Sequence, residues 1–301
     1  MDAQLHHNLA EFVALTRPLL EGDPVRHTHA LTLTHLLMRA SEAEDPPVLL
    51  TVHRGESLAG AAICTLPWAL IVSALPTGCA GAAVEVLAVG YPTLSGAFGP
   101  RDEAEAFAGN WSTRTGASVR ERMAQRLFAL HGLTPPAGVP GTVRQAGVGD
   151  LELLAQWRQD FADEANGGLR GRGSAAQQNQ RALAAGNVAL LWEVAGQPVA
   201  WASASTPLAG MSRIAPVYTL PRHRGNGYGS AVTAAAAGWA RQAGATQVVL
   251  FTNLANPVTN VIYPRIGFRP VLDAVEFAFT PAPCRSLDAV SMRGCAAHPD
   301  G

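Results

Sequence analysis

A stretch rich in proline and glycine, "GLTPPAGVPG" from Gly132 to Gly141, lies near the middle of the 301-residue chain. Its three prolines and three glycines stop any helix and favour an extended connection. The chain must therefore organise on either side of it. Each side is close to the length of an ordinary domain, roughly 150 residues.

Hydrophobic periodicity gives the two sides a similar order of elements. Before the connection, helices are expected near 5–20 and 25–42, with strands at 47–53, 58–66 and 69–75. A helix near 80–89, a strand at 93–98, a helix at 101–115 and a strand around 122–131 follow. After it come a strand at 142–146, an amphipathic helix with Asp150 as its expected N-cap, and a shorter helix at 174–185. "VALLWEV" and "PVAWASAS" read as a hairpin, "SRIAPVYTL" as a strand, and "YGSAVTAAAAGWARQAG" as a helix ended by Gly244. "QVVLF" is a buried strand, a short helix lies around 257–264, and strands are expected near 267–271 and 274–279. Helices interleaved with strands in both parts predict a mixed α/β fold built from two tandem copies, 1–133 and 142–280, joined by 134–141. The tail, 281–301, is rich in small and polar residues and reads as a poorly packed extension.

Composition removes several function classes. The net charge of −1 offers no bulk attraction to nucleic acid or to an anionic membrane. Every basic residue is arginine, so a lysine nucleophile, a lysine Schiff base and a P-loop lysine are all excluded. Cys64, Cys79, Cys284 and Cys295 have neither zinc-knuckle nor redox-pair spacing. They read as reduced thiols of a cytoplasmic protein, and no metal is expected. The polar N-terminus "MDAQLHHNLAEF" does not read as a signal peptide. The most apolar stretch, Leu58 to Pro76, is broken by Pro67 and fits two buried strands better than a membrane span. His27, His29 and His35 lack the paired spacing and adjacent glutamate of a metalloprotease helix, and surface or capping positions are expected for them.

The chemistry concentrates in "TLPRHRGNGYGS", Thr219 to Ser230, between a strand and a helix. A helix N-terminus presents unpaired N–H groups and a favourable dipole to an anion. Gly225, Gly227 and Gly229 let the backbone approach phosphate oxygens, and Arg222 and Arg224 add positive charge. The glycine spacing is not that of a dinucleotide fold, and the missing lysine excludes a Walker loop.

These residues resemble the acyl-CoA-binding motif of the GNAT superfamily of N-acetyltransferases. Arg222-His223-Arg224-Gly225-Asn226-Gly227 matches every fixed position of that motif, after a strand and a proline. The resemblance implies the acyl-CoA N-acyltransferase fold and acetyl-CoA as cosubstrate. It implies that Tyr218, Thr219 and Leu220 contact the pantetheine arm through the backbone. Arg224, Gly225, Asn226, Gly227, Tyr228, Gly229 and Ser230 would wrap the pyrophosphate. A second segment, "NPVTNVIYPRIGFRP" from Asn256, is similar to the family's later motif. By that likeness Asn256 and Asn260 belong to the cofactor site, and Tyr263 protonates the departing thiolate. Pro264, directly after the tyrosine, departs from the usual pattern.

Acyl transfer to an amine also needs a base and a polarised carbonyl. Glu193, a carboxylate in the apolar strand "LLWEV", is the base candidate, although strand alternation equally permits a solvent-facing position. Pro216 cannot donate to a ladder and marks a break in its strand. Asp160, Asp163 and Glu164 form an acidic cluster that suits a cationic amine or an ordinary helix surface. "GLRGRGS", Gly168 to Ser174, reads as an exposed loop, with a lid or second anion contact as the alternative.

In the N-terminal part, "LPTGCAGAAV" stands where a duplicate would place its own loop, but no arginine or glutamine precedes a paired glycine there. This half is therefore expected to be a degenerate copy. The expected activity is acetyl transfer to a small-molecule or peptide amine by a monomer or homodimer, with a non-catalytic acyl-CoA sensor as the alternative.

Overall fold

The computed structural model describes residues 1–40, 46–165 and 174–282. The first half runs β1 (Asp2–His6), α1 (Leu9–Gly22), α2 (Thr28–Arg39), β2 (Val48–Arg54), β3 (Ser57–Cys64), β4 (Leu70–Ala74), α3 (Ala80–Gly90), β5 (Gly96–Pro100), α4 (Arg101–Thr115) and β6 (Ser118–Leu130). The second runs β7 (Thr142–Gln145), α5 (Leu151–Ala165), α6 (Ala175–Ala184), β8 (Val188–Val194), β9 (Gln197–Ala204), β10 (Met211–Thr219), α7 (Tyr228–Gln242), β11 (Gln247–Asn253), α8 (Pro257–Arg265) and β12 (Phe268–Thr280). The order of helices and strands is the same in both, so the duplication expected from periodicity is present at the level of elements.

The twelve strands of the described residues form one mixed sheet in the order β1-β2-β3-β4-β5-β12-β6-β11-β10-β9-β8-β7. That order reads alike from either edge, except that the two halves have exchanged their last strands. β12 pairs with β5 of the first half, and β6 pairs with β11 of the second. At the centre β6 and β12 run antiparallel from Phe268↔Leu130 to Thr280↔Ser118. Arg126 grips Asp273 with two bonds of 2.6 and 2.8 Å, and Arg122 reaches Glu276 at 2.5 Å, fixing the register.

The cores follow the exchange. Val275 and Phe279 of β12 are buried with Trp111, Phe107 and Leu87 of the first half. Phe128 and Leu130 of β6 are buried with Val232, Ala236 and Leu250 of the second. Each such side chain contributes about 1.5–3 kcal/mol of burial. A third core joins Phe12 and Leu31 of the first half to Met211 and Val249 of the second.

The structure departs from the sequence expectation in places. Residues 2–6 form an edge strand on β2 rather than the start of a helix. Asn8 then caps α1 through Ala10 and Glu11 N–H, so the helix begins after it. The two strands expected at 267–279 are one, with register shifts at Pro270/Leu272 and Glu276/Phe277. The tail beyond Ala282, including Cys284 and Cys295, and the loop 168–174 up to Gly173 lie outside the described residues. Cys64 and Cys79 are buried thiols, and burial pushes Cys64 up to about 12.

Candidate active site

The site begins where two parallel strands part. β10 and β11 pair only from Met211↔Gln247 to Arg213↔Val249. Beyond that rung β10 continues to Thr219 bonded only to β9, and β11 continues to Asn253 bonded to β6. The open edges widen toward the carboxyl ends of both strands, where α/β sheets place their ligands.

Pro216 does break its strand, as expected. The register against β9 shifts between Ile214 and Val217. Because side chains alternate, the shift re-phases the residues beyond it. Ile214 and Val217 both face the core under α7, and Tyr218 turns to the other face, against Trp157 at 5.9 Å. Arg213 lies on that same face, two residues after Met211, whose sulfur accepts from Thr28 of α2. Strict alternation would have separated Arg213 from Tyr218.

After β10 a 3-10 turn, Pro221–His223, leads to Gly225 at φ +83° and Gly227 at φ +80°. Only glycine adopts this region without strain. A Cβ at Gly225 would meet nothing within 4 Å, so the concave side of the loop is open. α7 has no side-chain cap, and its first helical bond is Ala231 N to Gly227 O. The N–H groups of Tyr228, Gly229 and Ser230 thus have no intrahelical acceptor. Asn226 braces the loop by donating to the carbonyls of His223 and Arg224. Arg222 is exposed beside His223. Arg224 donates to Thr219 O at 3.0 Å and to Glu164 at 2.6 Å.

Leu220 is used differently from the expectation. Its N–H donates to Val199 O and so is not free for a cofactor arm, while its carbonyl already accepts from His223 N. Asn256 also serves locally, capping α8 through the N–H groups of Val258 and Thr259. Asn260 is more telling. Its Nδ2 donates to the carbonyls of Asn253, Leu254 and Asn256, at the end of β11. Its Oδ1 is buried with no partner. A buried acceptor without a donor costs about 1–3 kcal/mol. Unpaired N–H groups, an open strand edge and an orphan acceptor together fit an arm carrying amides that ends in a pyrophosphate.

Tyr263 lies in the core under α7, its ring set edge-on to Phe128 and Phe268. Burial pushes its hydroxyl up to about 12. α8 continues through Pro264 to Arg265, so the proline does not stop the helix before the tyrosine.

Glu193 is corrected. Arg144 donates to its Oε1 at 2.6 Å and also holds Asp150, so a guanidinium already engages the carboxylate that a base would use. The histidines are corrected in part, for His27 does occupy the N-cap position of α2. His27 is buried against Ser73 Oγ, and His35 bonds the carbonyl of Ala185. His29 lies between the rings of Phe98 and Phe251, at 4.9 and 4.7 Å. Burial first, and the charge of Arg213 second, hold His29 well below the usual histidine range.

Sequence reasoning passed over two arginines on the same face. Arg158 of α5 donates to Asn179 and stacks 5.4 Å over Trp201. Neither Arg158 nor Arg213 has a carboxylate partner among the described residues. A lone arginine inside the apolar "MSRIAPVYT" was the available signal.

Residues 154–268 match the model of the acetyltransferase (GNAT) family. Over that span the chain matches a GNAT acetyltransferase domain. The match starts in α5 and ends at the first residue of β12, so the exchanged β6 lies outside it. The GNAT fold extends over both halves. The tandem GNAT protein from the clavulanic acid biosynthesis pathway is similar over 93% of this chain and 98% of that one, with TM-score 0.58 and 15% identity. A GCN5-related N-acetyltransferase from Kribbella flavida is 20% identical, with TM-score 0.56, over 84% of this chain and 95% of that one. A GNAT-family acetyltransferase from Colwellia psychrerythraea has TM-score 0.60 and 11% identity, over 93% of this chain and all of that one, 100%. No curated protein matches. Among the described residues no group of His, Cys, Asp and Glu is placed to hold a metal, and no helix is long and apolar enough to cross a membrane.

Proposed function

We propose that the C-terminal GNAT domain transfers an acetyl group from acetyl-CoA to a small-molecule or peptide amine by direct attack. The observation that carries this reading is the glycine loop, whose left-handed Gly225 and Gly227 leave the first N–H groups of α7 unpaired beside the parting of β10 and β11. Those groups, with Arg224 and Ser230, would hold the pyrophosphate. Asn260 and the open edge of β10 at Tyr218 and Thr219 would hold the arm. Bound acetyl-CoA supplies an activated thioester. Tyr263 stays protonated at neutral pH and serves as the proton donor to the leaving sulfur, a role worth about 100-fold or more in typical acid–base catalysis.

The N-terminal half is a degenerate copy in this reading, and its loop supports that. There the 3-10 turn Thr77–Cys79 runs straight into α3, with Cys79 N bonded to Pro76 O and Ala80 N to Thr77 O. Gly78 and Gly81 are not left-handed, and no open cradle forms.

The test is release of free thiol from acetyl-CoA across a panel of amines, with CoA binding measured separately. Tyr263→Phe is expected to lower kcat about tenfold or more with little change in CoA affinity. Unchanged turnover would remove Tyr263 from the chemistry. Tight CoA binding with no transfer to any amine would make the protein a sensor.

A further inference from the structure

One face of the second half carries two guanidinium groups that no carboxylate among the described residues neutralises. Arg213 projects from β10 at the last rung before the strands part. Its backbone exchanges bonds with Ser205, its N–H donating to Ser205 Oγ and its carbonyl accepting from Ser205 N. Its side chain makes no hydrogen bond or ion pair among the described residues. Arg158 enters the same face from α5 over Trp201. Beside Arg158, Asn179 is only 3% exposed, and its Nδ2 is buried with no acceptor. Trp201 lies in β9 and Ser205 just past its end, so the two arginines stand against positions roughly 13 Å apart along the chain.

Among the described residues, the groups left unsatisfied on this face, the Arg213 guanidinium and Asn179 Nδ2, are donors. Most arginines elsewhere that are drawn into contacts meet carboxylates: Arg26 with Glu103, Arg122 with Glu276, Arg126 with Asp273, Arg144 with Asp150 and Glu193. Burial draws Arg158 and Arg213 down to about 10, so both remain cationic at neutral pH. An unpaired charge in such a setting is costly, and proteins retain one where a ligand completes it. The first half closes the face. α2 brings His29 next to Arg213, and His29 is held neutral there, adding no competing positive charge. On the loop side Asp160 stands at the hydroxyl of Tyr218, a suitable neighbour for an ammonium. At the loop end, where Trp201 pairs with Tyr218, the face thus holds Asp160 and Arg158, and deeper in it holds Arg213.

We infer that the amine acceptor also bears a carboxylate, bound by Arg213, with Arg158 and Asn179 donating to other acceptor atoms of the same molecule, so that amino-acid-like molecules are the substrate class. The inference rests on the transferase reading above.

The probes are the common α-amino acids, aspartate and glutamate included, each compared with its carboxamide derivative that keeps the amine. Thiol release by the full chain is expected to favour at least one acid over its amide by tenfold or more in kcat/KM. In Arg213→Gln that ratio should fall toward one, and Arg213→Lys should restore part of it. Amides turned over as well as every acid would overturn the inference while leaving the transferase reading intact. If neither series nor any other amine of the panel is acetylated although CoA binds, the transferase reading fails, and thermal stability in the presence of CoA decides the anion site. Acids but not amides should then raise the Tm, and no carboxylate-dependent shift would overturn it. The wild-type comparison holds even if the Arg213 variants do not fold.

Discussion

Phe279, near the end of the last strand, stacks on Trp111 of the first half with ring centroids 5.5 Å apart. A side chain from the far end of the sequence thus completes the first core. Phe279→Ala should cost about 3–5 kcal/mol and should alter tryptophan emission. Urea melts followed by fluorescence and by circular dichroism will show whether both halves weaken together. A loss confined to one half, seen as two separated transitions, would contradict the exchange. For the same reason residues 1–133 and 134–301 produced apart should each be insoluble or unfolded, and co-production should recover folded protein.

The pair between Arg224 and Glu164 ties the glycine loop to the end of α5. Both side chains are about half exposed, so the pair itself contributes little stability, roughly 0–1 kcal/mol. Its effect should show in binding, because Glu164 competes with pyrophosphate for the guanidinium. Arg224→Gln is expected to weaken CoA about tenfold, whereas Glu164→Gln should tighten it a few-fold. Calorimetry at two salt concentrations checks both, and a weaker complex in Glu164→Gln would refute the competition.

Gly227 and Gly225 share a left-handed backbone but differ in surroundings. A Cβ at Gly227 would press Val139 at 3.1 Å, whereas one at Gly225 meets open space. Both alanine variants should lose about 1–2 kcal/mol from the backbone term. Gly227→Ala should lose more, together with CoA affinity, because it also shifts the N-cap of α7. Equal melting points for the two variants would show that Val139 yields freely.

Acid should destabilise the fold through His27. Burial lowers this histidine to about 4, against 6.5 when unfolded. Between those values the unfolded chain binds the extra proton, so its contribution is present above pH 6.5 and is lost as pH falls toward 4. The difference corresponds to roughly 3 kcal/mol. His27→Asn should flatten stability measured from pH 4 to 7, and an unchanged slope would remove His27 as the cause. His29 is shifted in the same direction and adds to the wild-type slope.

The repeated order of elements was legible because helical and strand periods are local. The edge strand at Asp2–His6 was not, since it exists only by pairing with β2. Nor was the exchange of β6 and β12, whose pairing spans the whole chain and leaves no local mark beyond two long strands. The glycine loop was readable because left-handed turns demand glycine. Glu193 misled, because Arg144, its partner, is 49 residues away. Arg213 escaped notice partly through Pro216. The register shift there sets Arg213 and Tyr218 on one face, and simple alternation assigns them to opposite ones.

The exchanged strands also govern the order of events during synthesis. β5 emerges from the ribosome long before β12, its neighbour in the finished sheet. Until the final strand is made, the first half holds an open edge and a gap where Val275 and Phe279 belong. β6 meanwhile awaits β11, so neither copy can close on its own product. Translation must pass β12 before the centre of the sheet can close, and the nascent chain is most prone to aggregation in that interval.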